Sequence, residues 1–274
     1  MLLVTGGAAQ LLLVLMTWAE WQAGGRLSLT GFFAPTPAGM LVLLVVAFIF
    51  FFISCYAVFY MKAKPTAEEA IFNGCSLVFL ALMTMVALAD HPIVMWIAIE
   101  ATTLASAPLI FMRHSKESLE ATWKYVMICS VGIALALLGF FFLSLSMQRV
   151  DQLLPLTFST LATVAPQLDP LWLKAAFVFV LIGMGTKMGL APMHTWLPDA
   201  HSESPALVSC LLSGALLNCA FLGIFRLQQL ALAAGFADFS RDIFILFGLL
   251  SMGLAAMFIV NQGDFKRMLA YSSV

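Results

Sequence analysis

The residues with chemistry to offer are ionisable groups set inside long apolar runs, and Glu100 and Lys187 are the deepest of them. A charge at mid-membrane costs about 2.5–3.5 kcal/mol on insertion scales, so such groups are usually paired or kept for transport. Burial raises a carboxyl pKa and lowers an amine pKa, which brings both toward working pH and suits them to proton transfer. The plainer reading is an ion pair that only locks two helices, yet such a lock is replaceable by apolar packing at little loss. Asn218 offers an amide to the same layer. His194, seven residues beyond Lys187, falls near the lysine's face if the helix continues, as a relay member or as a satisfied core histidine. Asp199, His201 and Glu203 follow and offer a route of proton access. Lys124 opens another apolar run, either as part of that access or as a snorkelling residue paired with Glu120 one turn earlier. Asp90, His91, Lys174 and Arg226 read as interfacial anchors.

No other chemistry has its usual pattern. Cys55, Cys75, Cys129, Cys210 and Cys219 lie in apolar runs without a CxxC pair, so they read as small buried hydrophobes rather than zinc or iron–sulfur ligands. The run from Gly183 to Lys187 matches neither the Walker phosphate loop nor the dinucleotide-binding glycine pattern. No nucleophile–base pair or metal cluster marks an independent enzyme, and no cofactor or metal is expected in this chain. A net charge of −1 supplies no basic face for nucleic acid.

Membrane helices must position these groups. The 274 residues are 62% hydrophobic and 10% charged, with a mean hydropathy of +1.02, so the expected solvent for this surface is lipid. A span needs about 20 apolar residues. Candidates are Leu2–Trp18, Met40–Tyr60, Phe72–Leu88, Ile93–Phe111, Trp123–Leu145, Trp172–Leu190, Leu207–Phe225 and Ile243–Val260, and a ninth begins at Met268. The fold class expected is an all-α polytopic bundle forming a single membrane domain over residues 1–274. Its longest loop is Gln148–Asp169, turned at Pro155, Pro166 and Pro170. The first span has no positive charge ahead of it and reads as a permanent helix, not a signal peptide.

One set of alternate loops holds Lys62, Lys64, Arg113, Lys116, Lys266 and Arg267; the other holds Arg26, Arg149, Arg226 and Arg241. The richer set is assigned to the cytoplasm, together with the first residue. At 1.5 Å per residue, Glu100 and Lys187 then sit at similar depth, within about 5 Å, and Asn218 lies about 12 Å from the outer surface. Pro192 cannot donate to the carbonyl of Met188, so a discontinuous helix is expected near Lys187–Pro192. A broken helix beside a buried lysine is tolerated where it lines a cavity or protein interior.

Four blocks carry a family resemblance. Trp96-Ile-Ala-Ile-Glu100-Ala-Thr-Thr-Leu104, Glu120-Ala-Thr-Trp-Lys-Tyr125, the run from Lys187 to Ala200 and the run from Asp264 to Ser273 resemble the antiporter-like, proton-pumping subunits of respiratory complex I and its relatives. Two stretches resemble hydrogenase-4 component F of formate-hydrogenlyase-type complexes in particular. The resemblance implies a fifth-helix glutamate and a seventh-helix lysine as the proton-pumping pair, which fall on Glu100 and Lys187, with a discontinuous seventh helix. It implies other membrane subunits and a peripheral hydrogenase or dehydrogenase arm as partners, with redox cofactors held there, in a bacterial or archaeal plasma membrane. Multi-subunit sodium–proton antiporters share the same motifs. Several relatives carry a lysine or histidine on the eighth helix, where this chain offers Asn218 or Ser213. Such neutral groups hold water but store no proton. By the same resemblance the chain is expected to lack one N-terminal helix and the later C-terminal ones.

Overall fold

A computed structural model describes residues 1–23, 31–63, 66–150 and 154–274; Arg26 and Lys64 lie outside them. The described chain is an all-α bundle in which eight helices are long and apolar enough to cross a membrane. In order these are α1 (Leu2–Gln22), α2 (Pro37–Tyr60), α3 (Thr66–Leu88), α4 (Pro92–Ile110) and α5 (Lys116–Ser146), then a short α6 (Phe158–Val164) and α7 (Pro170–Met188). Another short helix, α8 (Trp196–Glu203), leads into α9 (Ala206–Leu211), which runs through a π-helical turn at Leu212–Leu216 into α10 (Leu217–Ala233) as one span. The chain continues with α11 (Ala237–Val260) and α12 (Phe265–Ser273).

The centre of the bundle is α7 and the α9–α10 span, whose apolar windows are 56% and 67% buried, against 17% for α1 and 11% for α11. Helices α5 and α7 meet almost backbone to backbone. A Cβ placed on Gly183 would lie 2.5 Å from the Ala136 amide nitrogen and 2.6 Å from the Gly132 carbonyl oxygen. Small residues substitute here for the hydrophobic driving force that lipid removes. Trp96 ties α4 to the same helix, its indole N–H donating to the Ile133 carbonyl at 2.7 Å.

Three features of the fold refine the sequence reading. The loop Gln148–Asp169 contains α6, because Thr157 accepts the Thr160 amide at 3.2 Å as an N-cap and Asp90 accepts the Ser159 amide at 3.1 Å. Arg226, read as an interfacial anchor, is held inside the protein. It is 3% exposed, donates to the carbonyls of Ala87 and Ala89 at the end of α3, and stacks 5.1 Å from the Phe158 ring. Asp90, also expected at the interface, is 5% exposed in the same corner.

Candidate functional site

The site is organised by the way α7 stops. Gly189 adopts φ +87°, a left-handed conformation open to glycine, and its amide bonds the Thr186 carbonyl while Leu190 N–H reaches the Gly185 carbonyl at 2.7 Å. That is the Schellman ending of a helix. The break is therefore made at Gly189, within the Lys187–Pro192 stretch where it was expected and three residues before Pro192. The strand of chain beyond it is held from two sides. The Ala191 amide donates to Ser251 Oγ on α11 at 3.0 Å, and the Trp196 indole, opening α8, donates back to the Thr186 carbonyl at 2.8 Å.

Lys187 occupies the last turn of α7 and is fully buried. Its Nζ donates to Thr103 Oγ1 on α4 and to Tyr125 Oη on α5, both at 2.7 Å. Tyr125 Oη is 2.7 Å from Ser106 Oγ, which donates to the Thr102 carbonyl at 2.7 Å. The Tyr125 ring leans on Trp196, with centroids 5.0 Å apart, so the lysine's partner also touches the restart of the broken helix.

Glu100, three residues before Thr103 on α4, accepts from Ser130 Oγ at 2.7 Å through Oε1. Its Oε2 is buried and has no hydrogen-bond partner among the described residues. Glu100 and Lys187 thus take hydroxyl partners from shared helices rather than bonding one another. They interact electrostatically within one polar cluster.

The other candidates separate. Asn218 donates to the Gly214 carbonyl at 2.7 Å and lines a cavity of about 180 Å³ with Met188, Gly189 and Leu190, beside the helix break rather than against Lys187. His194 does not share the lysine's face, because the helix ends first; it packs against the stacked rings of Phe258 and Tyr271, and burial lowers its pKa. Lys124 bonds Glu120 at 2.7 Å and Asp199 at 3.1 Å, and Asp199 also pairs with Arg267, giving a charged cluster at one end of the bundle. Nearby, Lys266 donates to the carbonyls of Ser204 at 2.7 Å and Ser202 at 3.3 Å. His201 lines an apolar cleft of about 680 Å³ with Lys266, and burial followed by that neighbouring cation pushes its pKa down to about 4. Cys210, read as buried, is exposed along this cleft, whereas Cys129 and Cys219 are buried. Thr103, Ser106, Tyr125 and Ser130 were not identified from the sequence. They are neutral and unremarkable in apolar helices, and only the placement of Glu100 and Lys187 would have directed attention to their helices.

A discontinuous helix ending on a buried lysine, crossed by helices bearing a carboxyl and hydroxyls, is the arrangement of an antiporter-like membrane subunit. The chain belongs to the NADH:quinone oxidoreductase/Mrp antiporter transmembrane family, whose sequence model matches residues 89–274. It is 41% identical over 182 residues to a hydrogenase-4 component F homolog of Methylacidiphilum infernorum, covering 66% of this chain and 38% of that protein. It is 32% identical over 270 residues to NADH-quinone oxidoreductase subunit N of Deinococcus radiodurans, covering 93% of this chain and 51% of the relative. Among solved structures, a chain of an archaeal membrane-bound sulfane sulfur reductase superposes with a TM-score of 0.84 at 21% identity, covering 99% of this chain and 56% of that one. A chain of respiratory complex I from Thermus thermophilus gives 0.78 at 23%, covering 98% and 55%. At those identities the likeness establishes the fold. The chain spans about half, or less, of the length of these relatives.

Proposed function

We propose that the chain is a proton-translocating membrane subunit of a redox-driven respiratory complex of the hydrogenase or NADH:quinone oxidoreductase kind, with protons passing through Glu100 and Lys187. The observation that carries this reading is Lys187, a completely buried amine held by two hydroxyls and by no carboxylate. A lysine kept only to lock helices would be expected against Glu100. Here the Glu100 oxygen without a bond is available to a proton or a water, and the intervening hydroxyls are able to conduct one. The exposed cluster of Lys124, Glu120, Asp199 and Arg267 is the proposed access at the cytoplasmic side, where the first residue also lies by the loop charges. His194 and Asn218, set off from the lysine, have at most a bordering role. Redox cofactors belong to partner subunits, which must supply about 2.3 kcal/mol for each charge moved against 100 mV. A second reading, a subunit of a sodium–proton antiporter, is favoured by the family's own description.

The test is respiration-driven proton uptake by inverted membrane vesicles carrying chromosomal variants. Glu100→Gln and Lys187→Ala, at wild-type levels of assembled protein, should lose the part of uptake that deletion of the gene removes. Uptake equal to wild type in Lys187→Ala would overturn the proposal. Transport that requires sodium in place of the redox substrate would select the second reading.

A further inference from the structure

The two hydroxyls that hold Lys187 are not equivalent. Ser106 has a single proton, and its oxygen lies 2.7 Å from the Thr102 carbonyl, which accepts and cannot donate. With that proton engaged, Ser106 meets Tyr125 as an acceptor, so the one proton of Tyr125 points to Ser106 across 2.7 Å. Tyr125 Oη then offers Lys187 only lone pairs, and accepts from Nζ at 2.7 Å. An ammonium has three N–H donors and a neutral amine still has two. The bond to Tyr125 therefore persists in either charge state. Thr103 differs: among the described residues no carbonyl takes its proton, and its hydroxyl also neighbours that of Tyr125, so it accepts from the ammonium or, rotated, donates to Tyr125 or to the amine lone pair.

We propose that Tyr125 is a positioning residue for Lys187, its hydroxyl fixed as an acceptor by Ser106 so that Nζ stays in place while a proton is exchanged at the N–H positions Tyr125 does not hold. This rests on the reading of Lys187 as a proton carrier. On loading, the amine lone pair takes the proton that the Glu100 carboxyl gives up through the hydroxyls between them, an O–H bond breaking as the N–H bond forms. On release the N–H bond breaks, its electron pair remains on nitrogen and the proton passes to a water molecule. Tyr125, Thr103, Ser106 and Lys187 are all fully buried, so no bulk water competes for these bonds. The other titratable groups facing Lys187 are Glu100 from α4 and Cys129 from α5. Of the remaining charges on the packed elements, Arg226 of α10 is engaged at the end of α3 and Asp199 of α8 is engaged by Lys124 and Arg267; Cys219 of α10 is buried and neutral.

The experiment measures the pH profile of proton uptake in the same vesicles for Tyr125→Phe, Ser106→Ala, Ser106→Thr and Lys187→Ala. A bond to an ammonium is stronger than one to an amine, so Tyr125→Phe disfavours the loaded form and moves the alkaline midpoint to lower pH by about one unit, equivalent to about 1.4 kcal/mol. Ser106→Ala never touches Lys187 but releases the Tyr125 proton to be donated to the neutral amine, and shifts the midpoint the same way. Ser106→Thr keeps the acceptor and restores the wild-type midpoint. If Tyr125→Phe fails to assemble, Ser106→Ala decides. Profiles that stay at the wild-type midpoint, or uptake reduced equally at every pH, overturn the role of Tyr125. Retained uptake in Lys187→Ala overturns the proton-carrier reading beneath it, so the two failures are told apart.

Discussion

Replacing Gly183 with alanine tests whether the contact between α5 and α7 is as close as the backbone implies. The added carbon would stand 2.5 Å from the Ala136 nitrogen, 2.6 Å from the Ala136 Cβ and 2.6 Å from the Gly132 oxygen. Two of these atoms are backbone, so no side chain can swing aside, and relief requires the helices to part by about 1 Å if ordinary carbon contacts are to be regained. Overpacking of this kind costs about 1–3 kcal/mol, and backbone opposition places it near the top of the range. Alanine returns about 1 kcal/mol of helix propensity. The net loss is about 2 kcal/mol, or about 4–8 °C in melting temperature. Gly74 on α3 has nothing within 4 Å of its would-be Cβ, so Gly74→Ala keeps the propensity gain without the clash. Thermal denaturation of the detergent-solubilised chain, followed by the amount that remains monodisperse, separates the two. Equal melting of both variants would refute the reasoning. Lys187 lies one turn beyond Gly183, so parting of about 1 Å also stretches its 2.7 Å bond to Tyr125 past the hydrogen-bond limit.

Two further outcomes concern groups apart from Glu100 and Lys187. His201 stays neutral in the fold down to about pH 4, whereas the unfolded imidazole charges near 6.5. Its contribution is complete above about pH 6.5 and declines as pH falls toward 4, by about 3 kcal/mol at most; melting curves at pH 7 and pH 5 should show the loss in wild type and not in His201→Gln. Arg226→Met leaves the carbonyls of Ala87 and Ala89 without their buried donor and should cost about 3 kcal/mol, of which Arg226→Lys recovers only part because one ammonium replaces a two-pronged donor. Wild-type melting of Arg226→Met would exclude this account.

The spans and the two deep charges were readable because the membrane makes both conspicuous. Twenty apolar residues in succession have few other uses, and Glu100 and Lys187 interrupt such runs. The partners of Arg226 were not legible, because nothing local reveals that the end of α3 presents carbonyls to it. The break was located correctly, but the residue that makes it was not singled out, since the left-handed state of Gly189 depends on the chain turning back toward Trp196. The hydroxyl partners were the least visible. Serine, threonine and tyrosine are ordinary in membrane helices, and three helices converge to bring them to one nitrogen.

The ending of α7 at Met188 also sets an electric field. An α-helix carries the equivalent of about half a negative charge at its carboxyl end, and Lys187 is one residue from that end. An unbroken helix would have carried that pole away toward the membrane surface. Terminated here, it lies beside the buried lysine, and the Trp196 indole partly shields it by covering the Thr186 carbonyl. The Gly189 amide bonds the same oxygen, so the shielding is shared between the turn and α8. The break thus gives the buried nitrogen a counter-charge that no side chain has to carry.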